Sequence, residues 1–262
     1  MSQPHYGPDS QSTQPYQYQP RRGAPGAPSD GGIRGGGRPG LGKLLTGIGL
    51  CVLVLVLGEV VKSGAVSRWD LRIDQHIAAH DRTSALTSLA KFATDIGKPE
   101  TIGIALMFLV PIILLLMRRR LDALKAFCMF AGAYALVEVV KKIVNEPRPP
   151  ATLQAMAADH SGSFPSGHAS VATTLCVVLV VVAITVAGRA TALVLGGLYA
   201  LAVAVSRFYL GDHYPLDVLG GALCALAAAY VVTGLAALPA LQPYLRRLEP
   251  ASGRRGHRRR QA

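Results

Sequence analysis

Six apolar runs, at about 44–61, 102–117, 122–144, 168–187, 190–209 and 216–238, set the limits on what this chain can become. Each is close to the ~20 residues that a helix needs to cross hydrocarbon, where every backbone N–H and C=O must find its partner within the segment. The expectation is an all-α, polytopic membrane protein, a six-transmembrane-helix bundle. Composition agrees: half of the 262 residues are hydrophobic and 16% are charged, which is too apolar for a soluble domain of this size. The 102–117 run is short and holds Pro111, which predicts a kink or an extension at its start.

The flanks divide the chain further. Residues 1–40 are rich in Gln, Pro, Tyr, Ser and Gly and offer no apolar face, so they read as a disordered tail. Residues 41–240 hold the spans, and 241–262 form a basic tail. The first run follows a long polar stretch and is read as a retained anchor. The net charge of +12 gathers at the ends and in the Arg118–Arg120 cluster, beside the spans. Such flanking charge orients a membrane protein, so nucleic acid is not an expected partner. With six spans, both tails and Arg189 share the cytoplasmic side. The loops at about 64–100, 145–167 and 210–215 then face outward, and the first balances five basic with five acidic residues. Cys51, Cys128, Cys176 and Cys224 lie far apart inside apolar runs and read as small core residues.

Nearly all unusual polar residues border the spans on that outer side. Lys141 and Lys142 end the third run, and the segment Asn145 to Pro150 stops its helix. Pro165, Ser166, Gly167 and His168 open the fourth, Ser206 and Arg207 end the fifth, His213 follows, and Asp217 sits in the first turn of the sixth. Singly, each has a structural reading: Lys141 as an interfacial lysine, Ser166 as an N-cap, Asp217 as a charge suited to a helix start. Together they bring two histidines, a carboxylate, several cations and a helix N-terminus to one membrane face. That set suits a phosphate ester. Arg148 and Arg207 offer planar forks to phosphate oxygens, Lys141 a point charge, and Ser166, Gly167 and His168 donors at a helix start. A neutral histidine can attack phosphorus while a second protonates the leaving alkoxide. His213, four residues before Asp217, is the better nucleophile candidate, with Asp217 fixing its tautomer; His168 is the better acid.

Three segments now carry a resemblance. K-x6-R-P (Lys141, Arg148, Pro149), P-S-G-H (Pro165 to His168) and S-R-x5-H-x3-D (Ser206, Arg207, His213, Asp217) match the tripartite signature of the type 2 phosphatidic acid phosphatase superfamily, over about residues 44–238. The resemblance implies a metal-independent membrane lipid phosphatase with no cofactor, working through a phosphohistidine. It implies His213, His168 and Asp217 as catalytic residues, and Lys141, Arg148, Ser166, Gly167, His168 and Arg207 as the phosphate-binding set. Many bacterial members carry a basic residue where Glu146 stands, which argues against a second clamp for a diphosphate. The expected partners are a lipid phosphate and the bilayer, with polyprenyl diphosphate the preferred substrate and phosphatidate, diacylglycerol diphosphate and phosphatidylglycerophosphate the others.

Two other classes compete. A vanadate-dependent haloperoxidase shares the anion pocket but is soluble. A non-enzymatic lipid transporter or scaffold would spare the fold but not each catalytic residue. His76 and His80, spaced i, i+4, lack the Glu of HExxH and a third ligand, so no metal site is expected there. Their segment, with Trp69, Leu71, Ile73, Ile77 and Leu86, is expected to form one amphipathic surface helix resting on the bilayer. His160 is placed in the outer loop near the site. Gly220 and Gly221 read as close helix packing.

Overall fold

The computed structural model describes Met1, residues 39–157 and residues 161–248. The long N-terminal tail, the basic end of the C-terminal tail and His160 lie outside the described residues. Among the described residues the secondary structure is entirely helical, in the order α1 (Pro39–Lys62), α2 (Ser67–His76), α3 (Ser84–Asp95), α4 (Ile104–Leu116), α5 (Arg120–Val144), α6 (Gly167–Val182), α7 (Val186–Tyr209), α8 (Pro215–Ala236) and the short α9 (Gln242–Leu245).

Among the described residues five segments are long and apolar enough to cross a membrane: Gly40–Lys62, Ser84–Leu116, Arg120–Val144, Val186–Tyr209 and Pro215–Ala236, and Gly167–Val182 is a shorter apolar helix. The expected polytopic helical bundle is present, while the count of six is not confirmed. The run at 168–187 yields a helix of only 16 residues, about 24 Å long. It ends because Ala183 turns to an extended conformation and the Thr185 hydroxyl takes the Gly188 N–H at 2.9 Å, starting α7 afresh. The second span departs in the other direction. It extends back through a π-helical turn at Pro99–Gly103 to Ser84, and Pro111 is accommodated inside α4.

The surface-helix expectation also changes. The chain breaks at Arg82 and Thr83, and the Thr83 hydroxyl accepts the Leu86 N–H at 3.3 Å, so Leu86 belongs to the second span. In α2 it is Asp70 and Asp74 that are buried, while Trp69 is 48% exposed. Both carboxylates lie close enough to Asp217 to feel its charge. Burial, then that neighbouring charge, raises Asp70 to about 6; burial, then Asp70 and Asp217, raises Asp74 to about 8.

Helix α8 is the axis of the bundle: α1, α5 and α6 all pack along it, α4 packs on α5, and α7 packs on α6 and α3. Val54, Val61, Val137, Val140, Val144, Phe164 and Cys224 form one apolar cluster near the functional end. Outward residues such as Leu193, Leu195, Leu198 and Leu201 on α7 are 59–62% exposed. So broad an apolar surface is what lipid contact requires. The four cysteines are free thiols.

Gly221 brings α8 against the start of α6. A Cβ there would sit 2.2 Å from the Ser166 carbonyl oxygen, a backbone atom that cannot swing aside. The neighbouring Gly220 gives the same room to Phe164 and Pro165. The glycine pair thus seats the PSGH turn. Gly221→Leu is expected to destabilise the folded protein by about 3 kcal/mol or more, read as a lower unfolding midpoint in detergent; an unchanged midpoint would contradict this packing.

Candidate active site

The ends of four helices meet at one face: the C-terminal ends of α5 and α7 and the N-terminal ends of α6 and α8. Helix α5 stops where Asn145 adopts a left-handed conformation (φ 49°, ψ 44°) and its N–H returns to the Lys141 carbonyl. The loop that follows carries Arg148 and runs back into α6. Ser166 caps α6, its hydroxyl accepting the Ala169 N–H. Its own N–H donates to the Asp217 carbonyl at 2.9 Å, which ties this turn to the start of α8.

His213 is 1% exposed and Asp217 is fully buried. His213 Nδ1 lies 3.1 Å from Asp217 Oδ2. The same oxygen accepts the Tyr214 N–H at 2.9 Å and the Ser163 hydroxyl. With Nδ1–H held by the carboxylate, Nε2 is the basic nitrogen, and it lies 3.4 Å from Arg148 Nη1. Burial, and after it the charges of Arg207, Arg148 and Lys141, push the His213 imidazole well below its ordinary value, so it is neutral.

The cations are held by acceptors. Lys141 Nζ donates to the Gly162 carbonyl at 2.7 Å. Arg148 donates to the Ser161 carbonyl at 3.0 Å and the Asp212 carbonyl at 3.1 Å, and pairs with the Asp212 carboxylate at 3.0 Å. Arg207 pairs with the other oxygen of Asp212, and its Nη1 reaches Thr94 Oγ1 at 3.4 Å. Thr94 in turn lies 2.8 Å from Ser206 Oγ. One buried carboxylate thus holds two guanidinium groups side by side, which their mutual repulsion would otherwise oppose.

Lys141, Arg148, Gly167, His168 and His213 line one cleft with Ser161, opposite Pro99 and Glu100. The cleft is narrow, with a cavity volume of about 30 Å³. His168 is 5% exposed, and its Nε2 has no hydrogen-bond partner among the described residues. Gly167 is needed where Pro99 packs, since a Cβ would lie 3.0 Å from Pro99 Cγ. Ser166, Arg207 and Asp217 are fully or almost fully buried behind this wall. The structure therefore brings all eight sequence candidates together, five on the cleft and three behind it. His76 and His80 stay apart from the site, their rings stacked at 4.7 Å.

Sequence reasoning passed over Asp212, Ser163 and Thr94. Asp212 left a trace: it is an acid directly before His213 in a segment whose cations need a counter-ion. Ser163 and Thr94 are common residues whose roles arise only from the fold. Glu146 is buried and faces Asp217, not the cleft. Its burial, then the Asp217 charge, raises it to about 10, so it is a neutral acid against that carboxylate.

Residues 122–237 match the PAP2 superfamily. The chain is 28% identical over 200 residues to phosphatidylglycerophosphatase B of Bacillus subtilis, covering 71% of this chain and 93% of that protein. It is 36% identical over 117 residues to decaprenylphosphoryl-5-phosphoribose phosphatase of Mycobacterium tuberculosis, covering 44% of this chain and 62% of that protein. Among solved structures, a transmembrane PAP2 type phosphatidylglycerolphosphate phosphatase from Bacillus subtilis shares the fold, with a TM-score of 0.64 and 24% identity over 72% of this chain and 95% of that chain.

The His213 environment yields a direct expectation. Because its folded value is lowered, the ring should stay neutral as a solution is taken from about pH 8 to about pH 5.5, through the range where an ordinary histidine gains a proton. Nitrogen-15 shifts of the labelled imidazole check this; a protonation midpoint near the ordinary value would contradict it.

Proposed function

We propose, for a chain that belongs to the PAP2 superfamily of bacterial membrane lipid phosphatases, that it hydrolyses the terminal phosphate of a membrane lipid through a phosphohistidine on His213. The observation that carries this reading is the relay from Asp217 through His213 to Arg148. It leaves a neutral, oriented Nε2 on a cleft that Lys141 and His168 also line.

The terminal phosphate enters with its oxygens toward Lys141, Arg148 and the free amides at the α6 N-terminus. Arg207 acts from behind, holding the Asp212 end of the Arg148 fork and adding its positive charge. Catalysis is mainly positioning and electrostatic stabilisation of the equatorial oxygens. His213 Nε2 donates its electron pair to phosphorus as the ester P–O bond breaks. The departing alkoxide takes a proton from His168, which is protonated once the bound phosphate's negative charge offsets the surrounding cations and whose Nε2 has no partner among the described residues. Asp217 stabilises the imidazolium that forms at His213 without taking its proton. Water then attacks the phosphohistidine, His168 accepts the water's proton, and inorganic phosphate leaves with His213 restored. No step draws on a metal ion.

With the shorter α6 taken as a sixth crossing, both termini are assigned to the cytoplasm and the site to the outer face, on the distribution of Lys and Arg about the spans. The two curated relatives supply candidate substrates, phosphatidylglycerophosphate and a polyprenyl-linked phosphoribose, beside polyprenyl diphosphate and phosphatidate.

Detergent-purified protein is expected to release inorganic phosphate from at least one of these lipids with chelator present and no added metal. His213→Ala should lower the rate by about 10³-fold or more. A variant that keeps the wild-type rate would contradict the assignment, and dependence on added metal would contradict the metal-free reading.

A further inference from the structure

One part of the cleft is not used by the mechanism above. It is lined by Glu100, Tyr134 and Glu138. Glu100 and Glu138 thus place two carboxylates on the same lining as the Tyr134 phenol. Neither takes an ion pair or a side-chain hydrogen bond among the described residues. Glu138 lies inside the Arg120–Val144 span. A carboxylate within a span is costly and tends to persist where it serves a ligand or a pathway. The same cleft is lined by His168, whose buried Nε2 has no partner among the described residues, which independently marks it as a place where a ligand completes the hydrogen bonding.

The order along α5 gives the direction. Tyr134, Glu138 and Lys141 follow one another at i, i+4 and i+7, on one face and about one turn, ~5 Å, apart. Lys141 lies at the end of the helix and Tyr134 two turns deeper. A lipid whose terminal phosphate sits at Lys141 and whose tail lies in the bilayer must pass the group next to its phosphate along Glu138 and then Tyr134. Two carboxylates and a phenol accept hydrogen bonds from hydroxyl groups. The two carboxylates repel a second phosphate bonded directly to the first.

Resting on the phosphatase reading, we infer that Glu100, Tyr134 and Glu138 form a specificity wall selecting a phosphate monoester of a hydroxylated head group over a lipid diphosphate. The preference for a polyprenyl diphosphate expected from the sequence is thereby reversed.

The test uses two lipids on the same diacylglycerol tail, phosphatidylglycerophosphate and diacylglycerol diphosphate, with kcat/KM for phosphate release measured on each. The ratio comes from one preparation, so any unfolded fraction cancels. Wild-type protein is expected to favour the glycerophosphate. The double variant Glu100→Gln/Glu138→Gln should move the ratio about tenfold toward the diphosphate. A wild-type preference for the diphosphate, or a ratio changed less than about twofold in the variant, would overturn the wall while leaving the hydrolase reading standing. Absence of release from either lipid by wild-type protein would overturn the hydrolase reading and this inference with it.

Discussion

The Asp217 carboxylate is the interaction on which the site depends. A single oxygen receives the Ser163 hydroxyl, the His213 ring and the Tyr214 N–H, while the backbone carbonyl of the same residue receives Ser166. Two separate chain segments, the loop before α6 and the turn before α8, are thereby bound at one point. A buried carboxylate needs such donors to offset its lost hydration, so assembling the site and satisfying this charge are one event. The small residues of α8 serve the same end: Gly220 and Gly221 let the PSGH turn come close enough for Ser166 to reach Asp217.

Around this hub the electrostatics form two layers. Asp212 gathers Arg148 and Arg207, so positive charge is concentrated without the two guanidinium groups being driven apart. Behind His213 a second set of carboxyl groups, Asp70, Asp74 and Glu146, is buried near Asp217. Their raised values reflect crowding of like charge away from water, and they set Asp217 in a surrounding where its hydrogen bonds carry much of its stabilisation.

Much of this was legible in the chain. Apolar runs separated by polar turns identify a polytopic bundle, and the positions bordering them contain all eight candidate residues that the fold gathers at or behind the cleft. What was not legible has physical causes. The run at 168–187 has the composition of a span, yet a break at Ala183 and a new cap at Thr185 divide it, and capping is a local event that hydropathy does not register. In α2 the apolar residues suggested a face resting on lipid, but Asp70 and Asp74 turn inward because the start of α8 lies beside them. Asp212 belongs to the site through pairing with residues 5 and 64 positions away, a relation that only the tertiary structure creates.

The central claim is that Asp217 orients His213 for attack on phosphorus. It is tested most directly by rapid acid-free quench of the wild-type protein with a lipid carrying a labelled terminal phosphate, followed by peptide mapping. The account predicts an acid-labile, base-stable label on the peptide containing His213, lost in His213→Ala and strongly reduced in Asp217→Asn. A label on another residue, or turnover with no labelled intermediate at any time, would contradict it.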